Sequence, residues 1–551
     1  MLLRAFLIAN LLSLCLASDI PAEEPLHARI DQLILAAGEG TTPADSSGES
    51  EFFRRLMLDL SGRIPTREET VAFLADESAD KRAQAIDRML ASSDYPRRMQ
   101  ELFHVILMER RGDDENWLRF LRAAFEENLP WDRIVRTILI PEPDDEKFQG
   151  AGYFLTGRLI SEGAMAPVDV PGLTRDVGRL LAGVDLQCAQ CHDHLEYEDY
   201  KQQDFQGLLM IFENVETRRD VKFPAVTEKL MTSPQQFQSV FVQEPRTTEP
   251  VVPGGEIIPI ATFPAGEEYL VPPDKKQRTP GVPKFSPLKA LANGLTSAEN
   301  ELFARNIANR MWFVMMGRGL IEPLDLNHSQ NPASHPELLD LLARELTAHQ
   351  FDLKWFLREL ALSETYQRSS RLPESDSQID PRSFLVAQEK RLSAEQLFWS
   401  TLIATGEAER LRAGTKPEQA HEPHSLEQLV ERHASLKSLK KEFLKTFANP
   451  PQEPEITFEP SVKAALYLMH DKQVLELLES REGNLAQRLN AQQDNRKLVE
   501  DLFLTVFSRM PEEAELQQTV AYLESHQSQR AEAIGQLAWA MLASTEFCVN
   551  H

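Results

Sequence analysis

Glu51-Phe52-Phe53-Arg54-Arg55-Leu56-Met57-Leu58-Asp59-Leu60-Ser61-Gly62-Arg63-Ile64-Pro65-Thr66 decides the fold class. Phe52, Phe53, Leu56, Leu60 and Ile64 fall close to a 3.6-residue period, which predicts a helix. Pro65 ends that run. Thr66 can cap the next helix, with Glu69 three residues on to complete a capping box. Helical patterns continue through Glu126. Between Pro245 and Pro287 lie ten of the chain's 34 prolines. Proline excludes long helices and central strands, so this region predicts a loop-rich connector with a few short strands, for example within Glu256 to Thr262. From Ser297 helical periodicity resumes and runs, with a polar break near 406–426, to the end. The expected fold is mainly α, with two helical domains joined by that connector. The expected order is a leader over 1–17, a flexible lead-in over 18–50, a helical domain over 51–240, the connector over 241–290, and a second helical domain over 291–551.

An internal repeat links the two ends. Arg63-Ile64-Pro65 recurs as Arg509-Met510-Pro511, and Arg82-Ala83-Gln84-Ala85-Ile86 as Arg530-Ala531-Glu532-Ala533-Ile534. Met89-Leu90-Ala91-Ser92-Ser93-Asp94-Tyr95 then recurs as Met541-Leu542-Ala543-Ser544-Thr545-Glu546-Phe547, with a weaker third copy at Leu360 to Tyr366. The copies are too far apart for a solenoid and predict related helical modules at both ends.

At 551 residues the chain exceeds what one hydrophobic core supports. Its 59 basic and 85 acidic residues give a net charge of −26. Such a chain repels phosphate backbones and anionic lipid headgroups, which argues against nucleic acid or a membrane surface as partner. Arg4 followed by the apolar run Ala5 to Leu16, and small residues at Cys15 and Ala17, read as a signal peptide. The run is too short for a membrane span, and no later stretch reaches about 18 apolar residues. Export to the periplasm or beyond, without a stable membrane span, is the expectation.

With Cys15 removed, Cys188, Cys191 and Cys548 remain, which is no disulfide framework. Cys188-Ala189-Gln190-Cys191-His192 has the form of a c-type haem attachment site. Two thiols at this spacing reach the two vinyl groups of one porphyrin, and His192 then sits under the iron as proximal ligand. Zinc held by Cys188, Cys191, His192 and His194, a redox disulfide, and a structural disulfide are the alternatives. Met210, inside an apolar run, is the nearest candidate for a second axial ligand, although core packing also explains it. His194 is too close to His192 to reach the opposite face of one iron. The acidic, aromatic run Asp193 to Tyr200 could bind a cation; a solvated face is the plainer reading.

Around this motif the residues resemble a known family. Thr174 to Leu181 and Gly183 to His194, with Phe53-Arg54-Arg55, Leu58 to Gly62 and Pro65-Thr66, are similar to the first domain of the planctomycete-type secreted cytochrome-like proteins. That two-domain family is catalogued as domains of unknown function 1549 and 1553. Asn306 to Trp312, Gly317 to Pro323, Asn331 to Asp340 and Ser363 to Gln367 resemble its second domain. The resemblance implies a cytochrome-like protein without an established activity. Members often carry a separate cytochrome c domain, which this chain lacks. Leu195-Glu196 stands where the family places an apolar residue and Asp, and Met210 matches no fixed family position.

The second-domain motifs also have structural readings. Asn306, Asn309 and Arg310 can hydrogen-bond a neighbouring loop, with Trp312 in the core. Ser334 and Glu337 can form a capping box, and His335 reads as a polar surface residue rather than a catalytic base. No nucleophile, base and orienting group assemble around it. Two functions are thus expected in order. The first is an exported haem-binding or electron-transfer protein with a redox partner. The second is an exported interaction or scaffold protein, beside polysaccharide-processing proteins, whose cysteine motif is a structural disulfide or another metal site.

Overall fold

The computed structural model describes residues 24–38, 40–141, 146–159, 168–274, 276, 279–373, 378–413, 425–453 and 467–551. The stretch read as a signal peptide lies outside the described residues. Helices dominate, and among the described residues strands occur only as antiparallel two-stranded pairs. Tyr269–Val271 with Val282–Pro283 lies in the proline-rich region, Gln235–Phe237 with Arg246–Thr248 enters it, and Val215–Thr217 with Val226–Glu228 precedes it. Glu256 to Thr262 makes only the isolated bridge of Ile257 to Val251. The fold is mainly α, as the periodicity predicts.

The opening stretch forms the helix Glu49–Ser61, and every residue from Phe52 to Ser61 is buried. A helix covered on all sides is central rather than peripheral. Its polar residues are therefore consumed by neighbours. Arg54 donates to the carbonyls of Val506 and Phe547, and Arg55 to those of Tyr366 and Arg368. Burial pulls the Arg54 guanidinium down to about 10. The buried apolar side chains group into two cores. One draws on residues 26–385 and the other on 392–547, joined by Leu58 and Ile64 from the central helix and the turn after it. Where the cores meet, Lys390–Arg391 pairs with Val549–Asn550, which brings the end of the chain back to the central helix.

The repeat recurs in the same bonding pattern, with one extra bond from Arg509 Nη2 to Glu546. Arg63 grips Glu69 with both Nη atoms, Asp94 with Nε, and the carbonyl of Ile64. Arg509 grips Glu515 with both Nη atoms, Glu546 with Nε, and the carbonyl of Met510. Each turn is followed by a capping box, Thr66 with Glu69 and Glu512 with Glu515. The shared serine of the repeat ending donates to the carbonyl three residues back in all three copies, Ser92, Ser544 and Ser363.

Two local expectations differ from the structure. Within the predicted lead-in lies the helix Leu26–Ala37, whose Leu26, Ile30 and Ile34 are buried in the first core. Its Asp31 accepts from the backbone of Glu364 and Thr365 and so caps the third repeat ending. The expected box at Ser334 does not form. Pro336 takes the first helical position and makes His335 the N-cap, while Ser334 Oγ bonds His335 Nδ1. His335 itself is buried and packs against Phe384, not on the surface.

Candidate functional site

The helix Val170–Val177 runs into a wide π-type turn, Gly178–Ala182, and ends on Gly183 in the left-handed region. A Cβ on Gly183 would stand 3.0 Å from Asn306 Oδ1, so glycine lets the second domain approach. Asn306 Nδ2 donates to the carbonyl of Leu180, and Arg310 Nη2 to that of Arg179. The Arg179 carbonyl also accepts from the amide of Gly183, so Arg310 is its second donor, and the second-domain helix Glu301–Met316 thus binds the turn at two carbonyls. Asn309 instead closes the loop after its own helix through Leu320 and Ile321. The loop-binding reading of these three polar residues is thus what the structure contains, and Trp312 is fully buried.

Beneath the turn lies a buried charge network. Asp176 is bonded by Arg158, Arg111 and Arg179, and Arg179 and Arg111 also hold Glu109. Burial opposes the charge on Asp176, but the three guanidiniums, Arg158 first, hold its carboxyl below the ordinary value. This rigid base carries the segment that leads to the cysteines.

The motif opens with the single 3-10 turn Cys188–Gln190. The carbonyl of Cys188 accepts from the amides of Cys191 and His192. The two middle residues anchor the turn. Ala189 is fully buried in the first core, and Gln190 accepts from Arg175 at its side chain and from Gln206 at its carbonyl. Cys188 and Cys191 are thereby turned outward, as exposed free thiols. His192 Nδ1 lies 2.7 Å from the carbonyl of Asp193. A carbonyl only accepts, so Nδ1 carries a proton, and in the neutral ring Nε2 is the nitrogen with the lone pair. That is the tautomer a metal-ligating imidazole needs, with the backbone carbonyl as its orienting partner.

The ground beside the motif is apolar and uncovered. Phe241 packs its ring 4.8 Å from that of His192, and Val240 donates its amide to the carbonyl of Cys191. Val240 and Phe241 are each 67% exposed, and Leu195 is 74% exposed. Met210 is buried on the helix Gln202–Glu213, one turn beyond Gln206 on the same face.

The acidic run after the motif is committed to structure at two of its carboxylates. Asp193 accepts from the amide of Gln202 at the start of the next helix, and Asp199 holds the amide and hydroxyl of Ser329. Tyr200 is buried and donates to the carbonyl of Asn327. His194, Tyr197 and His328 stack in one column, with ring separations of 3.5 and 3.8 Å. Desolvation, then the neighbouring Cys188 and Asp185, push the Tyr197 hydroxyl above the ordinary phenol value. His328 escaped the sequence reading, because nothing in its loop marks it as a partner of a tyrosine so distant in the chain. Among the described residues no group of three or more His, Cys, Asp or Glu side chains is disposed to hold a metal ion.

Two exposed thiols, an imidazole with a free Nε2 and an apolar surround form a donor set that fits a c-type haem. Cys188 and Cys191 would hold the porphyrin and His192 the iron.

No curated protein and no solved structure matches the chain. Residues 29–217 match the family model PSCyt2, described as a protein of unknown function (DUF1549). Residues 288–523 match PSD1, described as a protein of unknown function (DUF1553). The second-domain match contains the helix that clamps the π-type turn, and the first contains the cysteine motif itself, so the chain belongs to the two-domain DUF1549 and DUF1553 family.

Proposed function

We propose that the protein is exported and carries a covalent c-type haem at Cys188 and Cys191, with His192 as proximal ligand, and that it passes electrons to a redox partner protein. The observation that carries this reading is the His192 tautomer. Its Nδ1–H is spent on the carbonyl of Asp193, so in the neutral ring Nε2 is the nitrogen left to ligate, beside two outward thiols. The bound group would supply one-electron chemistry. The chain's own part is to orient the imidazole and to offer Phe241, Val240 and Leu195 as apolar cover. Second-domain residues Asn306 and Arg310 hold the turn that leads to the motif. Met210 stands as a candidate second axial ligand. No helix among the described residues is long and apolar enough to cross a membrane. Association with exported polysaccharide-processing proteins belongs to the same proposal as a setting for the redox partner.

The test is expression of the full chain in a host that matures c-type cytochromes, followed by haem-peroxidase staining of a denaturing gel. A stained band from the exported fraction that is lost in Cys188→Ala and in Cys191→Ala is the expected result. An exported, folded and unstained wild-type protein sinks the reading.

A further inference from the structure

A cavity of about 340 Å3 opens where the two cores meet. None of the cysteine-motif residues lines it, so it is a separate feature. Its walls combine apolar side chains, among them Leu102, Ile106, Phe313 and Phe447, with an unusual density of charge.

Most of that charge is internally matched. Asp59 pairs with Lys390, Glu109 with Arg179, and Glu395 with Arg110, each within 2.9 Å. Glu101 is shared by Arg97 and Lys440, and Asp325 lies 3.6 Å from Arg179. Glu389 is exposed at the cavity wall.

Two guanidiniums are left over. Arg98 is 7% exposed, and its one hydrogen bond runs from Nε to the carbonyl of Asp59 at 3.4 Å. Among the described residues neither of its Nη atoms has a partner, and neither is sealed from the cavity. Arg310 is 8% exposed. It spends Nε on Asn306 and Nη2 on the carbonyl of Arg179, and Nη1 has no partner among the described residues. Burial pulls both groups below the ordinary arginine value, and the nearby carboxylates, Asp59 first for Arg98 and Asp325 for Arg310, offset this only in part.

The backbone makes room for this arrangement. Gly62 ends the central helix at a φ of +66°, and a Cβ there would stand 2.9 Å from Arg98 Cδ. A buried arginine fork with unspent donors over an apolar wall has the chemistry that recognises an oxyanion on an apolar body. We infer that this cavity binds a small organic anion, with the guanidinium of Arg98 on its carboxylate, phosphate or sulfate, Arg310 as a second cation of the same wall, and its body against Leu102, Ile106, Phe313 and Phe447. The inference is independent of the haem reading.

Benzoate, phenyl phosphate and phenyl sulfate, with neutral benzamide as control, are titrated into the full chain by calorimetry. At least one anion saturates in the millimolar range or tighter, benzamide does not, and the tightest of the three anions reports which oxyanion is preferred. Arg98→Met, which keeps most of the stem, weakens that anion by about tenfold or more, and Arg310→Met weakens it less. No saturable anion binding, equal binding of benzamide, or unchanged affinity in Arg98→Met overturns the inference. Should a variant fail to fold, modification of Arg98 by phenylglyoxal, followed in the wild-type chain by mass spectrometry, decides instead. The bound anion slows it if the inference holds, and an unchanged rate refutes it.

Discussion

Lys390→Met removes a cation that four oxygens share. Lys390 Nζ lies 2.7 Å from each Asp59 oxygen, and 3.0 and 2.8 Å from the carbonyls of Val314 and Met315. Those carbonyls end the helix Glu301–Met316, so the ammonium also faces the negative end of its dipole. Without it, Asp59 keeps only two neutral donors, Tyr366 Oη and Asn550 Nδ2, each at 2.9 Å. The Asp59 side chain is only 3% exposed, so it is poorly solvated once that partner is lost. Orphaning a buried carboxylate in this way costs about 3–5 kcal/mol, a large share of the roughly 5–15 kcal/mol by which a domain is stable. Methionine keeps the length of the stem, so the loss measures charge rather than a hole. Asp59→Asn combined with Lys390→Met abolishes the unpaired charge and returns most of the stability. Urea denaturation followed by circular dichroism measures both, and the slope of the transition shows whether the two cores still unfold together. A single variant that loses less than about 1 kcal/mol, the range of exposed ion pairs, refutes the reasoning. So does a double variant no more stable than the single one.

The two repeat copies differ at one strained position, which makes a matched pair of substitutions. Gly62 and Ser508 both follow the helix and precede the arginine, at φ of +66° and +62°. Gly62→Ala loses about 1–2 kcal/mol to the left-handed backbone and crowds Arg98, whereas Ser508→Gly gains about 1 kcal/mol, since the buried Ser508 Oγ also lacks a partner. Thermal denaturation that moves both variants in the same direction contradicts this. Burial first, then Arg54, pushes His551 down to about 4 from an ordinary 6.5. Above pH 6.5 the ring is neutral folded or unfolded; below it the unfolded chain takes up the proton first, so stability falls as pH drops through 6.5 toward 4. Allowing for partial exposure, the effect is about 1–2 kcal/mol. His551→Gln flattens the stability profile in that window, and an unchanged slope between wild type and variant rules the assignment out.

Features built within a few residues were legible in the chain. The helix at Phe52, its stop at Pro65 and the Thr66–Glu69 box depend on neighbours in sequence, and so does the spacing of Cys188, Cys191 and His192. The repeat was legible because each arginine, its carboxylates and its serine keep their order in both copies. Local reading failed where a distant surface intervened. Leu26, Ile30 and Ile34 form a helix because the second domain covers them, and His335 is buried because Phe384 packs over it. The periodicity of the central helix could not reveal that all its faces are covered, since Arg54, Arg55 and Asp59 look like a solvated side until their partners are known.

By itself the sequence determined a mainly helical, two-domain chain and a local donor set of two thiols and an imidazole. Covalent spacing and helical period are properties of adjacent residues. Only the tertiary structure decided that Lys390 meets Asp59 across 331 residues, that Asn306 holds the turn before the cysteines, and that Arg98 and Arg310 share one cavity. Charges so far apart along the chain acquire partners, or lack them, only when the two cores close upon each other and exclude the water that would otherwise satisfy them.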